Sequence, residues 1–309
     1  MKISKTEIEA VRKWMYRNAR PIDLARWQYH FENGSKEAVL KALLAYQNDD
    51  GGFGHALEAD SWNPNSSPIQ TWCATEVILE IGGIEKTHPI IQGILRYLDT
   101  CKDFSEGYWL AEIPSNNDFP HAPWWSYGEN VIEEWGYNPT ACLAGFILFY
   151  ADSSLSIYKK AEMIAKTAVD KYLSGELLND MHESLCFIRL MEYCDRANKR
   201  DLFDITMLKT KLQDQVSKLL TRDTEQWKTS YVCKPSQFFN SPRSPFHEEN
   251  RDLVDYEIAH IIGTKNKSGV WDITWKWEMY EKEFAISENW WKANLVIVNM
   301  LFLRGFDCL

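Results

Sequence analysis

Apolar residues recur along this chain at three- and four-residue spacing, broken by glycine and proline, and that period predicts helices from end to end. Ile8, Val11, Trp14 and Met15 mark a first helix over Lys5 to Asn18. Pro21 opens a second, with Leu24, Trp27 and Phe31 on one face and Asn33-Gly34 as its stop. Ser35 caps a third that runs to about Tyr46 through Val39, Leu40, Leu43 and Leu44. Further helices are predicted from Ser67 to about Ile81, from His88-Pro89 to Thr100, and from Thr140 to Tyr150. Others run from Ser156 to Leu173, Asn179 to Ala197, Asp201 to Thr221, Ser244-Pro245 to Ile262, and Asn289 to Arg304. Between them lie long loops, Lys102 to Tyr137 and Arg222 to Arg243, and a third that carries Trp271, Trp275 and Trp277. No parallel-strand pattern, Gly/Ser linker or low-complexity tract interrupts the series, so the chain reads as one all-α domain over residues 1–309.

Within this series one unit repeats. A Gly-x-aromatic step occurs at Gly51-Gly52-Phe53, Gly107-Tyr108-Trp109 and Gly269-Val270-Trp271. A helix opened by a capping residue and proline is expected at Ser67-Pro68, Asn138-Pro139 and Ser244-Pro245. Helix, turn, aromatic loop and capped helix therefore recur, the grammar of stacked hairpins that form a solenoid or close into a ring. The sharpest copy, Gln47-x-x-Asp50-Gly51-Gly52-Phe53, resembles the Q-x-x-D-G-G-[WF] element of the squalene–hopene (terpenoid) cyclase and protein prenyltransferase β-subunit superfamily. The copies at Trp109 and Trp271 keep only Gly-x-Trp. The resemblance implies an α/α toroid of about five to six helix pairs, with the inner-helix N-termini and their loops around one mouth. The superfamily's chemistry is not carried with it: neither an Asp-x-Asp-Asp nor an Asp-Asp-x-x-Asp motif is present, and the zinc ligands of the prenyltransferases find no match.

Composition refines this picture in two ways. Fourteen tryptophans in 309 residues require either many ring-filled layers or an aromatic-lined cavity. A net charge of −10 opposes general binding to nucleic acid or anionic membrane. Scattered cysteines without a CxxC, and a start without an apolar leader, point to reduced thiols in a soluble, cytoplasmic protein. No apolar run reaches the ~18–20 residues of a membrane span.

Candidate chemistry gathers in the loops. If the toroid holds, one rim receives His55, Glu58 and Asp60, then Asp118, His121, Trp124 and Trp125, then His247 and Glu248, then Trp271, Asp272 and Trp275, and last Trp290 and Trp291. Glu58, Asp60, His121 and Asp272 are the candidate acid and base groups; for the His55, Glu58 and Asp60 cluster the alternative is bracing of the following helix, and for the His121 segment a loop pinned by its tryptophans. His55, Asp118, Trp124, Trp125, Trp271 and Trp275 are the candidate ligand-binding groups, with loop anchoring and core filling as the alternative for the tryptophans. A metal held by His55, Glu58, Asp118 and His121 uses acceptable ligand types without a compact motif, and no cofactor is assigned. Asn138, Ser67 and Ser244 are expected caps, and several N-termini around a mouth would favour an anionic ligand. Two readings stand side by side. One is an enzyme with an aromatic and acidic pocket for a carbohydrate or isoprenoid-like molecule. The other is a non-catalytic module that binds a small ligand or a peptide on the same scaffold.

Overall fold

The computed structural model describes residues 1–178 and 180–309, so the predicted helix start at Asn179 lies outside the described residues. The chain is all-α, with twelve α-helices and one two-stranded hairpin among the described residues. It divides into two compact units, Met1–Leu43 with Val216–Leu309, and Leu44–Gln215.

In the first unit, α1 (Lys5–Asn18), α2 (Pro21–Phe31), α3 (Lys36–Leu43), α11 (Arg251–Gly263) and α12 (Glu281–Gly305) pack by their apolar stripes, with α12 against α1, α2 and α11. A capping box starts α1: Glu7 N–H donates to Ser4 Oγ, and Ser4 N–H donates to Glu7 Oε2. At the head of α2, Asp23 is buried between two arginines, 2.7 Å from Arg20 Nε and 3.2 Å from Arg26 Nη1. Arg26 also donates to Asn294 Oδ1 at 2.9 Å and ties α2 to α12.

Two helix starts in this unit differ from the pattern. Ser244-Pro245 does not open a helix: Ser244 Oγ accepts from Phe246 N–H in a local turn, and α11 begins only at Arg251 after a 3-10 turn, Glu248–Asn250. The last helix begins at Glu281, two turns before Asn289, and its first turns already pack: Ser287 is fully buried and Phe284 meets Trp277 with ring centres 5.7 Å apart.

The second unit is built on α7 (Thr140–Tyr150), which is apolar on every side and buried along nearly its whole length. Around it lie α4 (Pro68–Glu80), α8 (Ser156–Ser174) and α9 (Met181–Arg196), while α5 (Pro89–Thr100) packs on α8. A short α6 (Val131–Trp135) precedes α7, and α10 (Ile205–Leu219) starts later than Asp201. Asn138 is not the cap of α7. Its Oδ1 accepts from the Cys186 thiol at 3.4 Å, and Pro139 occupies the cap position. Ser67 does cap α4, accepting from Gln70 N–H at 3.2 Å. None of the seven cysteines is in a disulfide, and five of them are buried.

The repeated step is a shared device at the level of hydrogen bonds. Gly51, Gly107 and Gly269 all adopt positive φ (95°, 92° and 83°), and two residues later each chain buries its aromatic ring. The Trp109 and Trp271 indoles donate to a last-turn carbonyl of the preceding helix, Leu98 O at 3.1 Å and Ile261 O at 2.8 Å. The backbone N–H of Phe53 donates to Thr71 Oγ1 of α4, and that of Trp109 to Thr140 Oγ1 of α7. Gly51 N–H donates to Asn48 O while Asn48 N–H donates to Gly52 O; Asn266, Gly269 and Val270 repeat both bonds. The matching Asn48 and Asn266, three residues before each glycine, are a sequence signal that the Gly-x-aromatic pattern alone passes over. The middle copy differs. Its glycine sits in a hairpin, β1 (Phe104–Ser105) and β2 (Tyr108–Trp109), turned at Glu106-Gly107.

Thr140 is the latch of that middle copy. Its hydroxyl accepts from Trp109 N–H at 3.0 Å and donates to Trp109 O at 3.2 Å, fully buried. T140V is expected to cost about 1–3 kcal/mol in urea unfolding, because it leaves the Trp109 amide dry and unmatched. Thr75 is equally buried but only back-bonds to Trp72 O in its own helix, so T75V is expected to cost less. Equal losses at the two positions would refute the latch.

Candidate functional site

In the second unit the loop after α3 is knitted to the loop before α6. The Gln-x-x-Asp-Gly-Gly-Phe turn anchors it. Gln47 Nε2 donates to Gly51 O at 2.9 Å and Ile90 O at 3.4 Å, and Asp50 Oδ1 accepts from Gly52 N–H and Ser66 Oγ–H. Asn48 Nδ2 reaches Pro64 O and Ser66 Oγ, both at 3.0 Å. These side chains replace a strand partner for backbone that would otherwise be left unsatisfied. Beyond the turn, Trp62 N–H donates to Pro120 O and Ala122 N–H to Asp60 O, which makes Ser61 and His121 an antiparallel pair. Asn63 Nδ2 donates to Ser115 Oγ and Asn116 Oδ1, and Asn116 Nδ2 to Trp125 O.

Seven of the residues singled out in the sequence belong to this loop pair. Glu58 is 6% and Asp60 2% exposed, and the Glu58 carboxylate accepts from the Asp60 amide at 2.8 Å. His121 is buried; Nδ1 lies 2.6 Å from Phe119 O and Nε2 2.9 Å from Ser126 Oγ. The carbonyl can only accept, so the ring carries its proton on Nδ1 and receives the serine hydroxyl proton on Nε2. Asp118 is exposed at the end of the 3-10 turn Pro114–Asp118. Trp124 is exposed, whereas Trp125 is buried and stacks on Trp135 with ring centres 4.7 Å apart and planes 7° apart. His55 stands apart: exposed, at φ 58°, it is bonded through Nε2 to Asn48 Oδ1 as a brace of the turn.

Glu112 is a group that the sequence pattern did not single out. It is 3% exposed and lies beneath the indole pair, accepting from Trp135 Nε1 at 2.5 Å and Gly128 N–H at 3.3 Å. Burial pushes its carboxyl above the usual range, with those two bonds opposing. Its neighbours Ala111 and Ile113 disguise it as one polar position in an apolar run.

The remaining residues lie in the first unit. Asp272 accepts from Lys292 Nζ and from Asn266 Nδ2, each at 2.9 Å. Burial pushes its carboxyl up, but those bonds outweigh it and hold the group below the usual range, as a brace between the turn and α12. Trp271 is buried, and Trp275 meets Tyr231 and Trp291 edge-on, each with ring centres 5.3 Å apart. Trp290 lies under the Arg20 guanidinium at 5.1 Å. His247 packs against Phe306, and Glu248 pairs with Arg251. Among the described residues no three His, Cys, Asp or Glu side chains gather as ligands for a metal ion. Nor, among them, is any helix long and apolar enough to cross a membrane. Comparison with protein-family models, curated proteins and solved structures finds no match to this chain.

Proposed function

We propose that the chain is an α/α-toroid protein of the terpenoid-cyclase and prenyltransferase β-subunit type, and an enzyme acting on a carbohydrate or isoprenoid-like small molecule. The repeated turn supports the architecture: glycine at positive φ, buried aromatic, and the bond to a threonine of the next helix recur as a hairpin repeat requires. The site reading rests on one observation. Glu58, Asp60 and Glu112, each less than a tenth exposed, belong to the loop pair that also carries the exposed Trp124 and the buried Trp125, the latter stacked on Trp135 of α6. Glu112, with its carboxyl pushed up by burial, is the proton donor in this reading, and Glu58 and Asp60 are the paired carboxylates. Aromatic faces beside carboxyl groups suit a sugar ring or a developing carbocation.

The test is a panel of oligosaccharides and isoprenyl diphosphates, read by melting-temperature shift and by product formation. One ligand class is expected to stabilise the protein and to be turned over. E112Q should keep that binding and lose about 100-fold or more in rate. A wild type that neither binds nor turns over any member of the panel sinks the proposal. Binding without turnover is the result expected of a ligand-binding module, which the Glu58–Asp60 amide bond favours because it occupies a carboxylate in holding its own loop.

A further inference from the structure

We propose that Ser126 is a nucleophile, with His121 as its base and Ser61 as a donor to the developing oxyanion, and that the loop pair cleaves small acyl esters.

Three features converge on this assignment. The Ser126 hydroxyl is exposed at the end of the 3-10 turn Pro123–Trp125 and lies 2.9 Å from His121 Nε2, within reach for proton transfer. His121 Nδ1 donates to Phe119 O at 2.6 Å, which fixes the tautomer with Nε2 as acceptor and sets the ring plane toward the serine. The third is Ser61. Because Asp60 O and Pro120 O take the flanking bonds, Ser61 and His121 form the close, non-hydrogen-bonded kind of antiparallel pair. Their side chains then project on one face with Cβ atoms roughly 4.5–5.5 Å apart. Ser61 is 1% exposed, and its hydroxyl has no hydrogen-bond partner. A buried hydroxyl without a partner costs free energy that a bound oxygen recovers. The Trp125 indole N–H, one residue before the nucleophile, is likewise buried without a partner. Exposed Trp124 offers an apolar face for a short acyl chain.

The chemistry balances with water as the only co-reactant. Ser126 Oγ attacks the ester carbonyl carbon as its proton passes to His121 Nε2, and the carbonyl oxygen takes the negative charge toward Ser61. The bond to the leaving alkoxide breaks, and His121 returns the proton to it. Water then adds to the acyl-serine through the same base and releases the acid, restoring Ser126. No step uses Glu58, Asp60 or Glu112, so this activity goes beyond the reading above and stands or falls separately.

A tagged fluorophosphonate tests it on the full chain. Ser126 Oγ would displace fluoride at phosphorus, and peptide mass spectrometry locates the adduct. The expected result is an adduct at Ser126 of the folded protein, absent after urea unfolding, and formed about 100-fold more slowly in S61A and in H121Q. S61A removes no hydrogen bond, so it folds and decides alone if H121Q does not. p-Nitrophenyl acetate hydrolysis is expected to fall in parallel in S126A, with its melting temperature read alongside to confirm that the variant is folded. No adduct at Ser126, or an adduct formed by folded S61A at the wild-type rate, overturns the proposal.

Discussion

G51A is expected to destabilise the protein by about 4 kcal/mol or more, enough to unfold a marginal domain. Gly51 adopts φ 95°, where an L side chain is strained, and an added Cβ would stand 2.1 Å from Gly93 O and 2.5 Å from Gly93 C. Both obstacles are backbone of α5, which cannot rotate out of the way as a side chain can. Gln47 tightens the same contact, its Nε2 2.6 Å and Gly51 Cα 3.3 Å from where a Cβ at Gly93 would be. Gly82 supplies the control. Its φ is 83° and a Cβ there meets nothing within 4 Å, so G82A carries the backbone strain alone, about 1 kcal/mol. Urea unfolding of the two variants separates strain from overlap. A G51A no weaker than G82A would mean that the turn is free to move away from α5.

E257Q is expected to stabilise the protein at pH 8 by about 2–3 kcal/mol and to change little below pH 4.5. Glu257 on α11 is 1% exposed and accepts from Ser236 N–H at 2.9 Å and Ser236 Oγ–H at 2.6 Å. Burial pushes its carboxyl up to about 7, against the Ser236 bonds and the nearby Lys234 ammonium. Between pH 4.5 and 7 the folded chain therefore keeps a proton that the unfolded chain has released, and stability falls as pH rises. Glutamine is neutral throughout and can match both serine groups, its oxygen accepting from the amide and its NH2 donating to the hydroxyl. His260, a turn further along α11, acts oppositely. Burial first, then Lys234 and Lys228, pushes it down to about 4, so the folded chain refuses a proton that the unfolded chain takes below 6.5, and stability falls as pH falls. The two effects offset each other in wild type over nearly the same window, and only the difference between variant and wild type isolates Glu257. Urea unfolding of both proteins at pH 4.5, 6 and 8 reads that difference. A gap that does not widen with pH would contradict the buried, proton-holding carboxyl.

The longer helices, and roughly where they stop, were legible from residue order, because an apolar stripe of helical period and a cap such as Ser67 act within a turn or two of chain; the one-turn α6, Val131–Trp135, fell within the predicted loop Lys102 to Tyr137. Lys5–Asn18 and Thr140–Tyr150 were placed to the residue by that local grammar, and the start of Pro21–Phe31 with them. It failed where a local signal had a different use: Ser244-Pro245 makes a turn, Asn138 meets a thiol, and α12 starts two turns before its tryptophan pair. Site residues were legible as types and not as roles. His55, Glu58, Asp60 and His121 stood out as polar groups in aromatic loops, yet nothing in their spacing told His55, exposed and bonded to Asn48, from His121, buried and bonded to Ser126. Asp272 looked like a free acid in sequence and is tied to Lys292 and Asn266 in space. Period and capping are short-range, so the sequence by itself determined the all-α class, the repeated turn and the polar loops. Partnership and desolvation arise only when distant segments meet, so the tertiary structure alone decided that Ser61 lies beside His121, that Trp135 covers Glu112, and that Glu257 holds its proton against Ser236.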